Sequence, residues 1–280
     1  MRQSKAVRVI RLFGILFSLA ATACDKGGGI GATSTGKIVC LTPAGTNLIA
    51  AMGLGDRIVG VSGYEADPKL KLLPKVGDYE RIDWERFLAL KPGVLVVQGR
   101  RDRLPPGVRE RCEDNGIAIA ILQIDRLDDI FSAAGQLGKA LHAEDAAAKL
   151  TADMKAKLAA LPTPAAPVPS LIVLNDSGTS VVGRDNYLND LLEAVGGTNV
   201  ITASGYNAID SEKLRSLKPT DVFLMMPGAT PEMIASARQH IDLPAVRNGH
   251  LHVIADDNAL LPGANVVELA QQFSNGLNGK

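Results

Sequence analysis

The feature that most constrains the fold of this chain is a ten-residue pattern that occurs twice. Residues 83–92 read DWERFLALKP and residues 210–219 read DSEKLRSLKP. In each copy an Asp two positions before a Glu is typical of a helix start, and Lys-Pro is typical of a helix end. An apolar run of strand type follows each copy, at 94–97 and at 222–225. Chance similarity between two ordinary helices is the alternative, but the duplication favours two lobes built alike.

Residues 1–24 have the pattern of a targeting segment and are left out of the predicted fold. A basic start is followed by an apolar run at 12–19, which is too short for a membrane span, and small residues precede Cys24. The segment resembles a bacterial lipoprotein signal, in which Cys24 carries lipid and becomes the N-terminus. Ordinary signal-peptidase cleavage near Ala23 is the alternative. We therefore expect the protein on the periplasmic or cell-surface side, anchored to the membrane by lipid at Cys24.

Removal of this segment changes the charge balance. Four basic residues are lost, which leaves 26 of the 30 Lys and Arg against 30 Asp and Glu, a net charge of −4. This balance gives no support to a nucleic-acid partner. Residues 25–36 are rich in Gly, Ser and Thr and predict a flexible tether. For Cys40 and Cys112 we favour two small buried residues over a disulfide.

The first predicted lobe spans residues 37–126, where strand and helix patterns alternate. The strand candidates lie at 37–41, 58–61, 94–98 and 117–122, and the helix candidates at 42–52, in the first repeat, and at 106–113. Strands separated by helices indicate a parallel sheet with both faces covered. Binding sites in such sheets lie at the carboxyl ends of the strands.

Residues 127–161 predict a helical strut between two lobes. The stretch lacks proline, is rich in Ala, Leu, Lys and acidic residues, and from 143 to 161 predicts one helix of about 19 residues. Prolines directly after residue 161 predict a stiff connection to the second lobe. Residues 162–280 repeat the alternation of strands and helices seen in the first lobe. Strands are expected at 171–174, after the second repeat and at 251–254, with helices at 187–195, 231–240 and 262–273. The predicted fold class is α/β.

This organisation resembles the periplasmic binding proteins of ABC importers for cobalamin, ferric siderophores and haem. The resemblance covers residues 37–275 and rests on the first strand and helix, which run into MGLGDRIVGV, on VGGTN at 195–199 and on both repeats. It implies a class III periplasmic binding protein: two Rossmann-like lobes with parallel sheets, joined by one long α-helix and separated by a ligand cleft. It implies no resident cofactor.

The resemblance gives a role to the acidic residue in each repeat. In this family one Glu on each lobe docks onto Arg residues of the two permease subunits, and Glu85 and Glu212 occupy the matching positions. Carboxylates on two rigid lobes would present two negative charges at a fixed spacing to a symmetric partner. Charge pairs across an interface fix its register. The alternative is that each Glu only stabilises the N-terminus of its own helix.

Aromatic residues line the family's cleft, and three tyrosines stand at such places here: Tyr64, Tyr79 and Tyr206. A tyrosine offers a flat apolar face and one hydroxyl, which suits a large planar or amphipathic ligand. Tyr79 lies six residues before Glu85, as the cobalamin-type Trp does. Asp78 occupies the place of the iron-ligating Tyr of the haem type, which argues against haem.

The loop after the strand at 94–98 carries polar candidates. Gln98 replaces a further family aromatic and is followed by Arg100, Arg101 and Arg103. The arginines would hold an anionic ferric siderophore or the phosphate and amides of a corrinoid, and a solvated loop is the alternative. In the opposite lobe Arg184 and Asn186 are weaker candidates.

Two positions depart from the family pattern. Asn47 stands where Glu is usual, and Ala264-Asn265 stand where an Arg is often found. We therefore expect the pocket chemistry to differ from that of the best-known members.

Other function classes find less support. A receptor for bare Zn or Mn needs several His and carboxylate ligands, and none of the four His residues lies at 42–47, where such receptors place one. His250 and His252 share one side of a strand, and with no third partner nearby we expect surface or packing roles. We find no hydrolase elbow, phosphate loop or metalloprotease motif, so we expect no enzyme. An orphan sensor or scaffold without a permease stays open.

The sequence thus favours a monomeric, lipid-anchored substrate-binding protein. We expect it to capture a bulky corrinoid-like chelate between its lobes and to deliver it to an ABC permease dimer through Glu85 and Glu212. A ferric siderophore or haem is the alternative ligand. Lobe motion is expected to be small, because a helical strut resists bending more than loop crossovers do.

Overall fold

The computed structural model describes residues 36–78, 80–100 and 104–279. The predicted targeting segment, nearly all of the tether, Tyr79 and Arg101 lie outside the described residues. Within the described ranges no helix is both long enough and apolar enough to cross a membrane.

The first lobe is built on a parallel sheet with the strand order β2-β1-β3-β4. Its strands are β1 Ile38–Cys40, β2 Ile58–Val61, β3 Val94–Gln98 and β4 Ala118–Leu122. Its helices are α1 Pro43–Ala51, α2 Trp84–Ala89 and α3 Val108–Asp114. A 3-10 turn, Gly55–Arg57, precedes β2. Every strand and helix that the sequence predicts for this lobe is present within a few residues, so the parallel arrangement is confirmed.

Two helices, rather than one, occupy the predicted strut. They are α4 Leu127–Leu141 and α5 Glu144–Ala159. His142 ends α4 in the left-handed conformation, with φ 54°, and the chain turns so that α5 packs against α4. The helix predicted over 143–161 corresponds to α5. The helix that packs on elements of both lobes is α4, which contacts α1, β4 and α6. Left-handed helix ends usually carry Gly, so a His at this position gives little sequence signal.

The second lobe contains a mixed sheet. Its strands are β5 Val168–Val173, β6 Ser180–Val182, β7 Gly197–Asn199, β8 Tyr206–Ala208, β9 Asp221–Met225 and β10 Leu251–Ile254. Strands β10, β9, β5 and β7 are parallel, as predicted, whereas β6 runs antiparallel to both β5 and β8. The sequence missed β6, β7 and β8, because three residues are too few to show a period. The helices are α6 Tyr187–Ala194, α7 Ser211–Ser216, α8 Pro231–His240, α9 Pro244–Arg247 and α10 Val266–Leu277.

One apolar core runs through both lobes. It joins Ile38 and Leu48 of the first lobe, Ile130 of α4, and Phe223 and Phe273 of the second lobe, all of them fully buried. Two smaller clusters cover the outer faces, one around Phe87 in the first lobe and one around Leu224 in the second. Because the main core crosses from lobe to lobe, separating the lobes would expose apolar surface to water.

Both described cysteines are free and buried. Cys40 faces the main core and Cys112 lies in the outer cluster of the first lobe, so they pack in different layers. Burial raises the pKa of the Cys40 thiol to about 12 and that of Cys112 to about 11. The favoured interpretation, two small buried residues, is confirmed.

A buried carboxylate joins two adjacent strands of the second lobe, β9 and the edge strand β10. Asp221 begins β9, and its Oδ1 lies 3.2 Å from His250 Nδ1 and 2.7 Å from His252 Nε2. The expectation that the two histidines share one side of the strand is confirmed, but the expectation that no third partner lies nearby was wrong. Among the described residues no group of three or more His, Cys, Asp or Glu is arranged to hold a metal ion.

Replacing Asp221 by Ala is expected to lower the free energy of unfolding by about 1–3 kcal/mol, because a buried acceptor shared by two imidazoles is lost. Denaturant unfolding measures the change. Asp242→Ala is the matched control, since Asp242 pairs with Arg247 at the surface and such pairs contribute about 1 kcal/mol or less. An equal loss in the two variants would contradict the role given to Asp221.

Candidate functional site

The carboxyl ends of β1, β2 and β3 surround a cavity of about 490 Å³. Its walls come from the last residue of β3, Gln98, and from the loops after the strands, including Thr42 and Tyr64. A smaller cavity of about 210 Å³ adjoins it, since both are lined by Pro43 and Tyr64. The far wall of the smaller cavity comes from the second lobe, through Asp257, Asn258, Leu260 and Leu261. The two cavities together, called the cleft below, lie where the sequence predicts a ligand site.

Another cavity, of about 630 Å³, lies around His250 and His252. It is found at the amino ends of β9 and β10, the sheet edge opposite to the cleft. Ligands of open α/β sheets bind at the carboxyl ends, so its position argues against a ligand site despite its volume.

Tyr64 stands between the two cavities. The chain turns sharply after β2, where buried Ser62 Oγ accepts from the Tyr64 backbone N–H at 3.2 Å. The turn presents the ring outward, and 75% of Tyr64 is exposed. A large exposed aromatic ring over a cavity is a surface that a planar or amphipathic ligand can cover.

Glu65 anchors the turn that carries Tyr64. It is only 9% exposed, and its Oε2 accepts from the Thr46 hydroxyl at 2.6 Å while its Oε1 accepts from the Asp67 N–H at 3.0 Å. The bond from Thr46 ties the loop after β2 to helix α1, and the bond from Asp67 holds the loop itself. Glu65 was not predicted from the sequence, because an isolated Glu in a loop carries no pattern that distinguishes a buried carboxylate from a solvated one.

Gln98 and Arg100 lie together on the larger cavity, as the sequence predicts. The Thr42 hydroxyl donates to Gln98 Oε1 at 2.8 Å, which fixes the amide at the end of β3. Arg100 and Asp78 both line this cavity. Arg101 and Tyr79, which belong to the same predicted site, lie outside the described residues.

Tyr206 occupies a different part of the surface. It lies on β8 and is 61% exposed, but the described walls of the cleft do not include it. Its neighbour Tyr187 begins α6 and was not a sequence candidate. The Tyr187 hydroxyl is buried, and no described residue hydrogen-bonds to it. Burial raises the pKa of Tyr187 above its ordinary value and nearby Tyr206 adds to the rise, so this hydroxyl stays neutral.

The two weaker candidates in the second lobe, Arg184 and Asn186, differ in exposure and in their hydrogen bonds. Asn186 is 5% exposed and caps α6, because its Oδ1 accepts from the Leu188 N–H at 2.9 Å. This use of the side chain explains its burial and removes it as a ligand candidate. Arg184 is exposed, and its backbone bonds to the segment around Ala203.

The two repeats fold alike. Asp83 Oδ1 accepts from the Arg86 N–H at 3.1 Å, and Asp210 Oδ1 accepts from the Lys213 N–H at 2.7 Å, so each Asp caps its helix as predicted. Glu85 and Glu212 are exposed at the second position of their helices, and neither forms an ion pair with a residue that the structure describes.

The helix of the first repeat has an additional aromatic support. The Trp84 ring meets the Phe87 ring edge-on at 5.3 Å, and the Arg111 guanidinium lies 5.0 Å from the centre of the Trp84 ring. The second repeat has Ser211 at the place of Trp84.

The two departures from the family pattern meet in space. Asn47 Oδ1 accepts from the Ala264 N–H at 2.7 Å, which joins α1 of the first lobe to the segment before α10. Gly263 lies so close that a Cβ at this position would collide with the Asn47 oxygen. Positions 47 and 264 therefore form one contact between the lobes.

Comparison with known proteins decides the family. A family model described as periplasmic binding protein matches residues 38–258 of this chain. The chain belongs to the periplasmic binding protein family. This match confirms the resemblance seen in the sequence and agrees with the α/β lobes described above.

Relatives of known name are distant in sequence but cover most of this periplasmic binding protein. The uncharacterized ABC transporter substrate-binding lipoprotein YvrC of Bacillus subtilis is 22% identical over 251 residues, 86% of this chain and 79% of that protein. A vitamin B12-binding protein of Vibrio parahaemolyticus is 25% identical over 227 residues, 79% of this chain and 82% of that protein.

Solved structures confirm the fold class. The periplasmic heme binding protein HutB of Vibrio cholerae matches with a TM-score of 0.73 and 23% identity, over 85% of this chain and 97% of that one. The periplasmic vitamin B12 binding protein BtuF of Vibrio cholerae matches with a TM-score of 0.64 and 22% identity, over 86% and 96%. The predicted class III architecture, two α/β lobes with parallel strands, is therefore correct.

Proposed function

We propose that this protein is the substrate-binding component of an ABC importer and captures a corrinoid-like chelate in its cleft. Membership of the periplasmic binding protein family supports binding rather than catalysis. The observation that carries the proposal is the cleft itself, in which exposed Tyr64 stands between a first-lobe cavity and a second cavity closed by the other lobe. A cleft with one large aromatic ring and several polar groups suits a bulky amphipathic ligand.

The charges around the cleft favour a corrinoid over haem. Carboxylates line both cavities: Glu65, Asp67, Asp78 and Asp257. Among the described residues of these walls the one cationic side chain is Arg100. Carboxylates accept hydrogen bonds from a rim of amides, as in a corrinoid, and repel a rim of carboxylates, as in haem. The vitamin B12-binding relatives agree with this choice.

A ferric siderophore is the second candidate ligand. Arg100 lies on the larger cavity, and an arginine there would attract an anionic chelate. Haem belongs to the same alternative, since several structural relatives are named as heme-binding proteins.

We further propose a membrane-anchored location and a permease partner. Cys24 would carry the lipid, in agreement with the Bacillus subtilis relative, which is named a lipoprotein. Glu85 and Glu212 would dock onto the permease subunits, one from each lobe. Their exposure on two helices capped in the same way supports this role.

A calorimetric titration tests the ligand. The purified protein is titrated with cyanocobalamin, cobinamide, haem and a panel of ferric siderophores, and we expect one-to-one binding of the corrinoids. Tyr64→Ala should weaken cyanocobalamin binding roughly 30-fold, about 2 kcal/mol, because a central aromatic contact is lost. We expect Tyr206→Ala to weaken binding as well, which would extend the binding surface beyond the two described cavities.

Leu72→Ala is the matched control, because Leu72 is 85% exposed and lies outside the described cleft walls. Binding of a ferric siderophore or haem alone would replace the proposed ligand. No binding across the panel would favour an orphan scaffold.

Charge reversal tests the docking role. The double variant Glu85→Arg, Glu212→Arg should abolish uptake of cyanocobalamin by cells, because each reversed charge would face an Arg of the permease. Its affinity for cyanocobalamin in solution should stay that of the parent. Glu110→Arg, an exposed reversal on α3, is the control and should leave uptake intact. Unchanged uptake in the double variant would exclude docking through these two residues.

A further inference from the structure

Arg126 makes the densest set of polar contacts between the two lobes. It follows β4 and directly precedes α4. Its Nε and Nη2 donate to the two carboxylate oxygens of Asp190 at 2.8 and 2.6 Å, and its Nη1 donates to Asp185 Oδ1 at 2.9 Å. Asp190 lies in the first turn of α6 and Asp185 just before that helix, so both acceptors belong to the second lobe.

Backbone groups on either side of Arg126 add to this connection. The Leu127 N–H donates to Asp190 Oδ2 at 3.0 Å, and the Tyr187 N–H donates to the Asp125 carbonyl at 2.9 Å. With the three guanidinium bonds, five hydrogen bonds join residues 125–127 to residues 185–190. They tie the N-terminus of α4 to the N-terminus of α6, two helices that pack against each other.

Additional hydrogen bonds hold both sides of this contact in place. Asp129 Oδ2 accepts from the Asp125 and Arg126 N–H groups at 3.0 and 2.8 Å, which fixes the backbone that carries the guanidinium. On the other side, Ser204 Oγ donates to Asp185 Oδ2 at 2.6 Å. Asp185 has φ 55°, a conformation that costs energy in a residue with a Cβ and persists where surrounding contacts hold it.

Apolar packing alone would not fix the angle between the lobes. Burial of apolar surface is non-directional, so packed helices can slide past each other at small cost. A guanidinium bound to a carboxylate through two parallel N–H groups is directional, and Asp190 is only 14% exposed at this contact.

We propose that Arg126 is a positioning residue that sets the relative orientation of the two lobes. Through this orientation it fixes the width of the cleft and the separation between Glu85 on α2 and Glu212 on α7. The consequence for transport rests on the proposed function, whereas the consequence for lobe orientation does not.

Pulsed electron paramagnetic resonance tests the inference in the ligand-free protein. Spin labels are placed on exposed positions of α2 and α7, through Ala89→Cys and Arg215→Cys in a Cys24→Ser background. Buried Cys40 and Cys112 are expected to stay unlabelled in the folded protein. We expect one narrow distance distribution in this parent, and a broader one after Arg126→Ala. Arg126→Lys, which keeps the charge but loses the fork, should give an intermediate width.

Two further variants keep the test decisive. Arg247→Ala is the matched control, because it removes an Arg–Asp pair that lies within the second lobe, and it should leave the distribution narrow. Asp185→Asn weakens the contact more gently and should broaden the distribution even if Arg126→Ala does not fold. Identical distributions in the parent, the Arg126 variants and Asp185→Asn would overturn the inference. Because no ligand is present, the result does not depend on which chelate the protein binds.

Discussion

The continuity of the apolar core across both lobes is the constraint on which the rest of the structure depends. Helix α4 provides it, since Ile130, Ala134 and Leu137 are fully buried in a cluster that reaches from Ile38 in the first sheet to Phe273 in α10. Opening the lobes widely would break this cluster and expose it to water, at a cost that grows with the apolar area. A frame of this kind favours a cleft that exists before the ligand arrives.

Hydrogen bonds then fix the positions of elements and loops that apolar packing alone does not determine. The Arg126 contacts join α4 to α6, and Asn47 joins α1 to the segment before α10, so two separate pairs of elements are held by directional bonds. Within the first lobe, Glu65 holds the loop that carries Tyr64, and Thr42 holds the side chain of Gln98 at the end of β3. The cleft residues are thus fixed by hydrogen bonds to rigid elements, an arrangement that lowers the ordering cost of binding.

The sequence predicts the structure best where a pattern repeats or where a residue type has a single common role. Asp83 and Asp210 cap their helices as expected, because a short carboxylate before a helix has few other roles. The predicted helix begins at 143, directly after His142, but α4 was not predicted as a separate helix, since a His in the left-handed conformation gives no clear sign of a helix end in the sequence. Contacts between distant segments could not be predicted from the sequence either. The pairs that form them, Asn47 with Ala264 and Arg126 with Asp190, are far apart in the chain and share no motif. Tyr206 was placed in the cleft by resemblance, and the described cavity walls do not include it, so its role stays a prediction.

The most direct measurement of the central claim, one core for two lobes, is denaturant unfolding followed by two probes at once. Trp84 is the sole tryptophan and lies in the first lobe, so its fluorescence reports on that lobe, whereas far-ultraviolet circular dichroism reports on all helices. A shared core predicts that both signals follow one transition with the same midpoint and the same slope. A tryptophan transition that is complete before or after the circular dichroism change would contradict it, because the lobes would then unfold as independent units.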